Sequence, residues 1–110
     1  MPVVRRPEDL TVVQGDGYTV TACAGPDVFD AEVPMRARRL VVEAGASAPV
    51  EIAGDEAMIY VVAGSGVFES GSERHEVGPE SMVWLEPPAA STLRAGDEGV
   101  ELLVSEAPGR

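Results

Sequence analysis

Residues 60–68, which read Tyr-Val-Val-Ala-Gly-Ser-Gly-Val-Phe, constrain the fold more than any other stretch of the chain. They form two apolar runs on either side of a glycine-rich turn. Short apolar runs that end at glycine are typical of β-strands. We therefore predict two strands here, at residues 57–63 and 66–70, joined by the turn at residues 64–65.

Short alternating segments of the same kind run along the rest of the chain. They predict further strands at residues 18–23, 37–43, 50–52, 73–77, 81–85, 90–94 and 100–105. Turns rich in glycine, proline and aspartate separate these segments, and no clear 3.6-residue apolar period is present. Eight or nine short strands at this spacing predict an all-β sandwich or barrel.

The length of 110 residues suits a single domain. We predict that residues 17–106 form the barrel and that residues 1–16 form an N-terminal arm able to pair with a neighbouring subunit. The tail, residues 107–110, is expected to be flexible because chain ends carry few contacts.

Charge and composition exclude several kinds of partner. The net charge is −11, with eight arginines and no lysine, so the surface repels nucleic acid and anionic membranes. We expect neither as a partner and attribute the acidity to solubility. The first residues lack the apolar stretch of a secretory signal, and the single Cys23 cannot form an internal disulfide. These features predict a cytoplasmic protein with an inert, buried Cys23, and the lysine-free composition suggests a GC-rich bacterial genome.

From Gly45 onward the chain resembles the cupin superfamily, whose members are double-stranded β-helix jelly-roll barrels. The first cupin motif runs from a glycine, through a pair of histidines, to a glutamate and a second glycine. Gly45 and Gly64 match the glycines, while Glu51 and Ala53 fall at the histidine positions and Ala57 at the glutamate position. The resemblance implies a jelly roll that forms a homodimer.

Residues 75–91 resemble the second cupin motif, with Ser91 where a family member has a histidine. The resemblance therefore implies a degenerate metal site. A catalytic divalent cation needs about three side chains with available lone pairs. Alanine has none and a neutral serine hydroxyl is a poor ligand, so Glu51 is the one good ligand left. We expect no bound metal and no cofactor.

Arg38 is a candidate binding residue because it shares a strand face with Leu40 and Val42. A guanidinium on a row that faces the barrel interior needs a carboxylate or phosphate partner. One interpretation is an ion pair with Glu51 or another acidic residue. The other is recognition of an anionic small molecule.

Glu51 is the candidate catalytic residue. Buried without a cation, a glutamate keeps its proton to higher pH, which suits a general acid or base. The alternative is a solvated carboxylate at the barrel mouth. Ile59, Trp84 and Ser91 complete the predicted substrate-binding set, and His75, which lies among charged residues, is expected on the surface.

Three hypotheses for function follow. The first is a metal-independent barrel with a mostly apolar cavity that binds a small organic molecule, including an anionic one. The second is an isomerase, cyclase or lyase in which Glu51 transfers a proton. The third is a metal-dependent oxygenase with the unusual ligands Glu51, Glu56 and His75.

Overall fold

A computed structural model describes residues 4–25, 28, 36–52, 56–86 and 89–107 of the chain. A single 3-10 turn, Pro7–Asp9, precedes the strands. The strands are β1 Val12–Gln14, β2 Tyr18–Ala24, β3 Arg36–Val42, β4 Ser47–Ile52, β5 Glu56–Ser70, β6 Glu73–Val77, β7 Met82–Leu85 and β8 Ala89–Ala107. Within these residues no helix is long and apolar enough to cross a bilayer.

The all-β prediction is confirmed. The predicted strands 57–63 and 66–70 form one continuous strand, β5, and the predicted strands 90–94 and 100–105 form one strand, β8. β1 was not predicted; it lies in the N-terminal arm and pairs with β2 of its own chain. Of the predicted flexible tail, Ala107 ends β8 and residues 108–110 lie outside the described residues.

The strand pairing divides into two sheets that share β5 and β8. The first half of β5 pairs with β7 and with the second half of β8, which continues to β3, β2 and β1. The second half of β5 pairs with β6 and with the first half of β8, which also pairs with β4. We call the set β1-β2-β3-β8-β5-β7 the first sheet and the set β4-β8-β5-β6 the second sheet.

The core lies between the inward faces of the two sheets. Alternate residues of each strand point inward because the side-chain period of a strand is two. The buried hydrophobic residues are Leu40, Val42, Ala57, Ile59, Val61, Leu85, Val100, Leu102 and Val104 from the first sheet, and Ala48, Val50, Ile52, Phe68, Val77, Leu93 and Ala95 from the second. Among the described residues, the buried hydrophobic side chains are thus aliphatic apart from Phe68.

The glycine-rich turn within residues 60–68 marks the point where β5 passes from one sheet to the other. The pairing of β5 with β8 shifts register between Val61 and Ala63 and again between Gly64 and Gly66. Gly64 has φ +80°, and a Cβ there would collide with the carbonyl oxygen of Gly99 on β8. The absence of a side chain therefore allows the two backbones to approach closely where both strands bend.

We predict that Gly64→Ala destabilises the fold strongly, because it adds a steric clash with β8 to the strain of positive φ. Gly45→Ala is the matched control: Gly45 has φ +76°, but a Cβ at this position would meet no other atom within 4 Å. The control should lose about 1–2 kcal/mol of unfolding free energy, and Gly64→Ala about 1–3 kcal/mol more. Urea unfolding measures both, and equal losses would contradict the close approach.

Candidate functional site

The candidate site is a cleft at one end of the barrel, where β2 and β8 end and β3 begins. Its volume is about 440 Å³. The lining residues are Ala22, Ala24, Gly25, Val28, Arg36, Ala37, Arg38 and Glu106. Three of these side chains are charged, whereas the barrel core between the sheets is apolar.

Arg38 enters the cleft from the inward row of β3. Its strand partners are Ala22 on β2 and Val104 on β8, and Leu40 and Val42 follow it on the same face. Nη1 of Arg38 donates to Oε2 of Glu106 at 2.5 Å, and Nη2 lies 3.5 Å from the carbonyl oxygen of Glu51 across the barrel. Arg38 thus forms an ion pair, and its partner is Glu106.

This ion pair is partly buried. The Arg38 side chain is 26% exposed and that of Glu106 15%. Charged groups interact more strongly in such a setting than on an open surface, and removal of one partner leaves the other with an uncompensated charge. The pair therefore holds the arginine in place at the entrance of the barrel.

Arg36 is the second arginine of the cleft. It lies two residues before Arg38, on the same strand face, and its strand partner is Glu106. It is exposed, and no ion pair joins it to any other residue in the part of the chain that the structure describes. Among the described residues, the lining thus holds two guanidinium groups and one carboxylate, which together carry a charge of +1 in a chain of net charge −11.

A second cavity, of about 340 Å³, adjoins the cleft beneath the N-terminal arm. The two share Ala22 and Val28 as lining residues. The remaining lining of the second cavity is Asp9, Leu10, Thr11, Val13 and Val20. Arg5 anchors the arm beside both cavities, since its Nε donates to the carbonyl oxygen of Val28 at 2.8 Å.

Glu51 is solvated rather than buried, which fits the second of its two predicted settings, although its carboxylate does not line the cleft. On β4 the buried residues are Ala48, Val50 and Ile52, so the Glu51 side chain is exposed on the outward face. A carboxylate without a cation is costly in an aliphatic core, and the opposite strand face puts valine and isoleucine there instead. Only the main-chain carbonyl of Glu51 reaches the cleft residue Arg38.

The other predicted site residues are dispersed. Ile59 is 1% exposed and packed within the core, so it does not line the cleft. Trp84 is 57% exposed on the outward face of β7, which places it outside the barrel. Cys23 is half-buried rather than buried, with Sγ 3.4 Å from the carbonyl oxygen of Thr21. His75 is exposed, as expected, and lies 3.7 Å from the Glu73 carboxylate.

The inward positions of the motif-bearing strands do not fit a metal ion. They carry Val50, Ile52, Ala57 and Ser91, and Ser91 is the strand partner of Val50. Three of these side chains have no ligating atom, and a neutral hydroxyl is a weak ligand. Ala53 lies outside the described residues.

The ligand set of the oxygenase hypothesis is also dispersed. Glu51, Glu56 and His75 are all exposed, and within the described ranges no three His, Cys, Asp or Glu side chains group as a metal site.

Sequence reasoning missed Arg36 and Glu106. Arg36 could have been predicted from the sequence, because the alternation that places Arg38 on the inward face of β3 places Arg36 there too. Glu106 was not, because its place in the cleft depends on the register of β3 against β8, more than sixty residues apart in the chain. No local sequence pattern encodes that register.

Comparison with solved structures supports the jelly-roll topology. Oxalate decarboxylase from Bacillus subtilis superposes with a TM-score of 0.81 at 15% identity, over 93% of this chain and 28% of that chain. Ectoine synthase from P. lautus superposes with a TM-score of 0.79 at 15% identity, over 99% of this chain and 80% of that chain.

This chain has the cupin fold.

The cupin likeness concerns architecture, since 15% identity does not carry over an activity. The sequence itself matches no protein-family model and no curated protein. The chain spans less than a third of the oxalate decarboxylase chain.

Among the described residues, Ser91 is the one polar side chain buried in the core. It is 4% exposed, and its Oγ has no hydrogen-bond partner among the described residues. An unpaired buried hydroxyl costs about 1–3 kcal/mol. We therefore predict that Ser91→Ala leaves the free energy of unfolding unchanged or raises it by about 1 kcal/mol.

Leu93→Ala is the control for Ser91→Ala. Leu93 lies two residues further along β8 on the same inward row and is 1% exposed. Its truncation should cost about 2–5 kcal/mol. Urea unfolding of both variants tests the contrast. A clear destabilisation by Ser91→Ala would show instead that the hydroxyl has a partner in solution.

Proposed function

We propose that this cupin barrel binds a small organic anion in the cleft formed by Arg36, Arg38 and Glu106, without a metal ion. The observation that carries the proposal is Arg36, a guanidinium in the cleft with no ion-pair partner among the described residues. Guanidinium groups bind carboxylates through parallel N–H···O hydrogen bonds. A carboxylate is therefore the expected charged group of the ligand.

The size and charge of the cleft support this proposal. Small-molecule sites commonly enclose about 300–1,000 Å³, and the cleft encloses about 440 Å³. The net positive charge of its described lining residues favours an anion over a cation, although the chain as a whole is acidic. Oxalate decarboxylase, which shares the fold, is named for oxalate, itself a small carboxylate.

Binding without a metal ion is supported by the side chains at the inward motif positions. Val50, Ile52 and Ala57 offer no lone pair. In their place Arg38 and Arg36 provide positive charge at the entrance of the barrel, which is the role a cation plays toward an anionic ligand. The arginines are thus an alternative to the metal as the source of anion affinity.

Proton transfer by Glu51, the enzyme hypothesis, is less well supported. Its carboxylate is exposed on the outward face of β4, away from the cleft. The carboxylate that does line the cleft is Glu106, and it is paired with Arg38. The geometry therefore favours binding, and a catalytic version would need Glu106 rather than Glu51.

Arg36→Ala should weaken the binding of small carboxylates, because it removes a charged donor that no described side chain neutralises. A hydrogen bond to a charged group contributes about 1.5–3 kcal/mol, so we expect roughly ten- to hundredfold weaker binding. Calorimetric titration with a panel of mono- and dicarboxylates, oxalate included, measures the affinity. Treatment with EDTA should leave it unchanged.

The control for Arg36→Ala is Arg94→Ala. Arg94 is also an exposed strand arginine, but it lies on β8 in the second sheet and does not line the cleft. Its replacement removes the same charge elsewhere on the chain. Equal effects of the two replacements would count against the cleft, as would the failure of every carboxylate to bind.

We also propose that two copies associate through the outer face of the first sheet. This face carries an apolar patch, which we call the outer patch: Met58, Tyr60, Met82, Trp84 and Leu103. Met82 is 66% exposed and Trp84 57%. Strand register makes the patch continuous, with Met82 beside Tyr60 beside Leu103, and Trp84 beside Met58. The outward face of an antiparallel sheet is usually polar.

A second copy of the chain is the partner that we propose for the patch. Arg39 is the strand partner of Leu103 and forms an ion pair of 2.9 Å with Glu101. Glu56, two residues before Met58 on the same face of β5, and Glu86, two residues after Trp84, add two exposed carboxylates to the border of the patch. Under a two-fold rotation, Arg39 of one copy can lie opposite a carboxylate of the other. Tryptophan and methionine are also enriched at protein–protein interfaces relative to the rest of the surface.

Trp84→Glu should convert the dimer into a monomer, because it places a charge within the apolar contact. The control is Thr92→Glu, which adds the same charge on the second sheet, away from the outer patch. Sedimentation equilibrium measures the mass. Added salt should strengthen association of the parent chain, since it screens the repulsion between two acidic copies. A parent chain that is monomeric at all concentrations would contradict the dimer.

A further inference from the structure

We infer that the ligand is an amphipathic carboxylate, whose carboxyl group binds Arg36 and Arg38 while an apolar chain lies in the cavity beneath the N-terminal arm. This inference rests on the proposed anion site and specifies the class of its ligand. It follows from the adjacency of the two cavities, which share Ala22 and Val28 as lining residues.

The two cavities differ in polarity. The charged side chains of the cleft are Arg36, Arg38 and Glu106. The adjoining cavity has Leu10, Val13, Val20 and Val28 in its lining, with Thr11 and Asp9 as its polar residues. A ligand that fills both needs a charged end and an apolar end, since apolar surface gains free energy by leaving water.

Asp9 does not make the adjoining cavity a cation site. Its Oδ2 accepts a hydrogen bond from the main-chain N–H of Arg6 at 3.0 Å, which closes the 3-10 turn Pro7–Asp9. The carboxylate thus has a structural partner within the arm. Its negative charge also disfavours a second carboxylate at this end, so a ligand with one charged end fits better than a long dicarboxylate.

A small side chain lies at the boundary between the cavities. Ala22, which both share, is the strand partner of Arg38. A methyl side chain at this position leaves room between the arginine and the valines. Val20, two residues earlier on β2, is the strand partner of both Leu40 and Val13. A ligand that extends from the Arg38 guanidinium to Val13 would thus lie along one face of β2.

The experiment measures affinity across the straight-chain alkanoates from acetate to octanoate by calorimetry. The burial of each methylene in an apolar cavity should strengthen binding by about two- to fourfold, until the cavity is filled. Arg36→Ala should weaken all members by a similar factor, because it acts on the shared carboxylate. The increase in affinity with chain length should be the same in that variant as in the parent chain.

Val13→Ser tests the apolar wall, and Val12→Ser is its matched control. Both valines lie on β1 with similar exposure, 61% for Val13 and 56% for Val12, so neither change should unfold the barrel. Val13 lines the cavity and Val12 does not. Val13→Ser should reduce the slope with chain length, while Val12→Ser should not. Ala22→Phe, which places a bulky side chain where the two cavities meet, should abolish the slope with chain length.

The outcomes separate this inference from the proposed function. Affinity that does not change with chain length would overturn the amphipathic ligand and leave the anion site standing. Equal slopes for Val13→Ser and Val12→Ser would also overturn it, because the chain would then lie elsewhere. The failure of every alkanoate and every short dicarboxylate to bind would overturn both.

Discussion

The close pairing of β5 with β8 is the constraint on which the rest of the structure depends. Both strands run through both sheets and bend together where Gly64 lies against Gly99. Every other strand except β1 and β2 pairs directly with one of these two, so the bend sets the position of the sheets relative to each other. It thereby brings the start of β3 opposite the end of β4, where Arg38 approaches the Glu51 carbonyl.

Apolar side chains fill the interior of the barrel, and charged side chains lie at one of its ends. Between the sheets the side chains are aliphatic, and the inward positions of the cupin motifs hold Val50, Ile52 and Ala57. Charged groups lie where β3 begins and β8 ends, because there a guanidinium keeps contact with water and with a carboxylate partner. We therefore expect ligand binding at this end of the barrel, where charged side chains keep part of their contact with water.

Local pattern predicted those features that depend on neighbouring residues. Alternation placed Arg38 on the inward row with Leu40, and apolar runs between glycines located the strands. Motif spacing left Glu51 open between a buried and a solvated carboxylate, because a shift of one residue turns a side chain to the opposite face. Val50 and Ile52 occupy the inward face of β4, since a core of valine and isoleucine costs less free energy than a core with an unpaired carboxylate.

The amino-acid sequence by itself determined the fold class, the separation into short strands and the acidic surface, because each depends on composition and on side-chain periods of two residues. Only the tertiary structure decided which charged groups meet. The pairing of Arg38 with Glu106, and the placement of Arg36 beside them, follow from the register of β3 on β8. That register is set by the packing of whole strand faces, which no short segment of the chain contains.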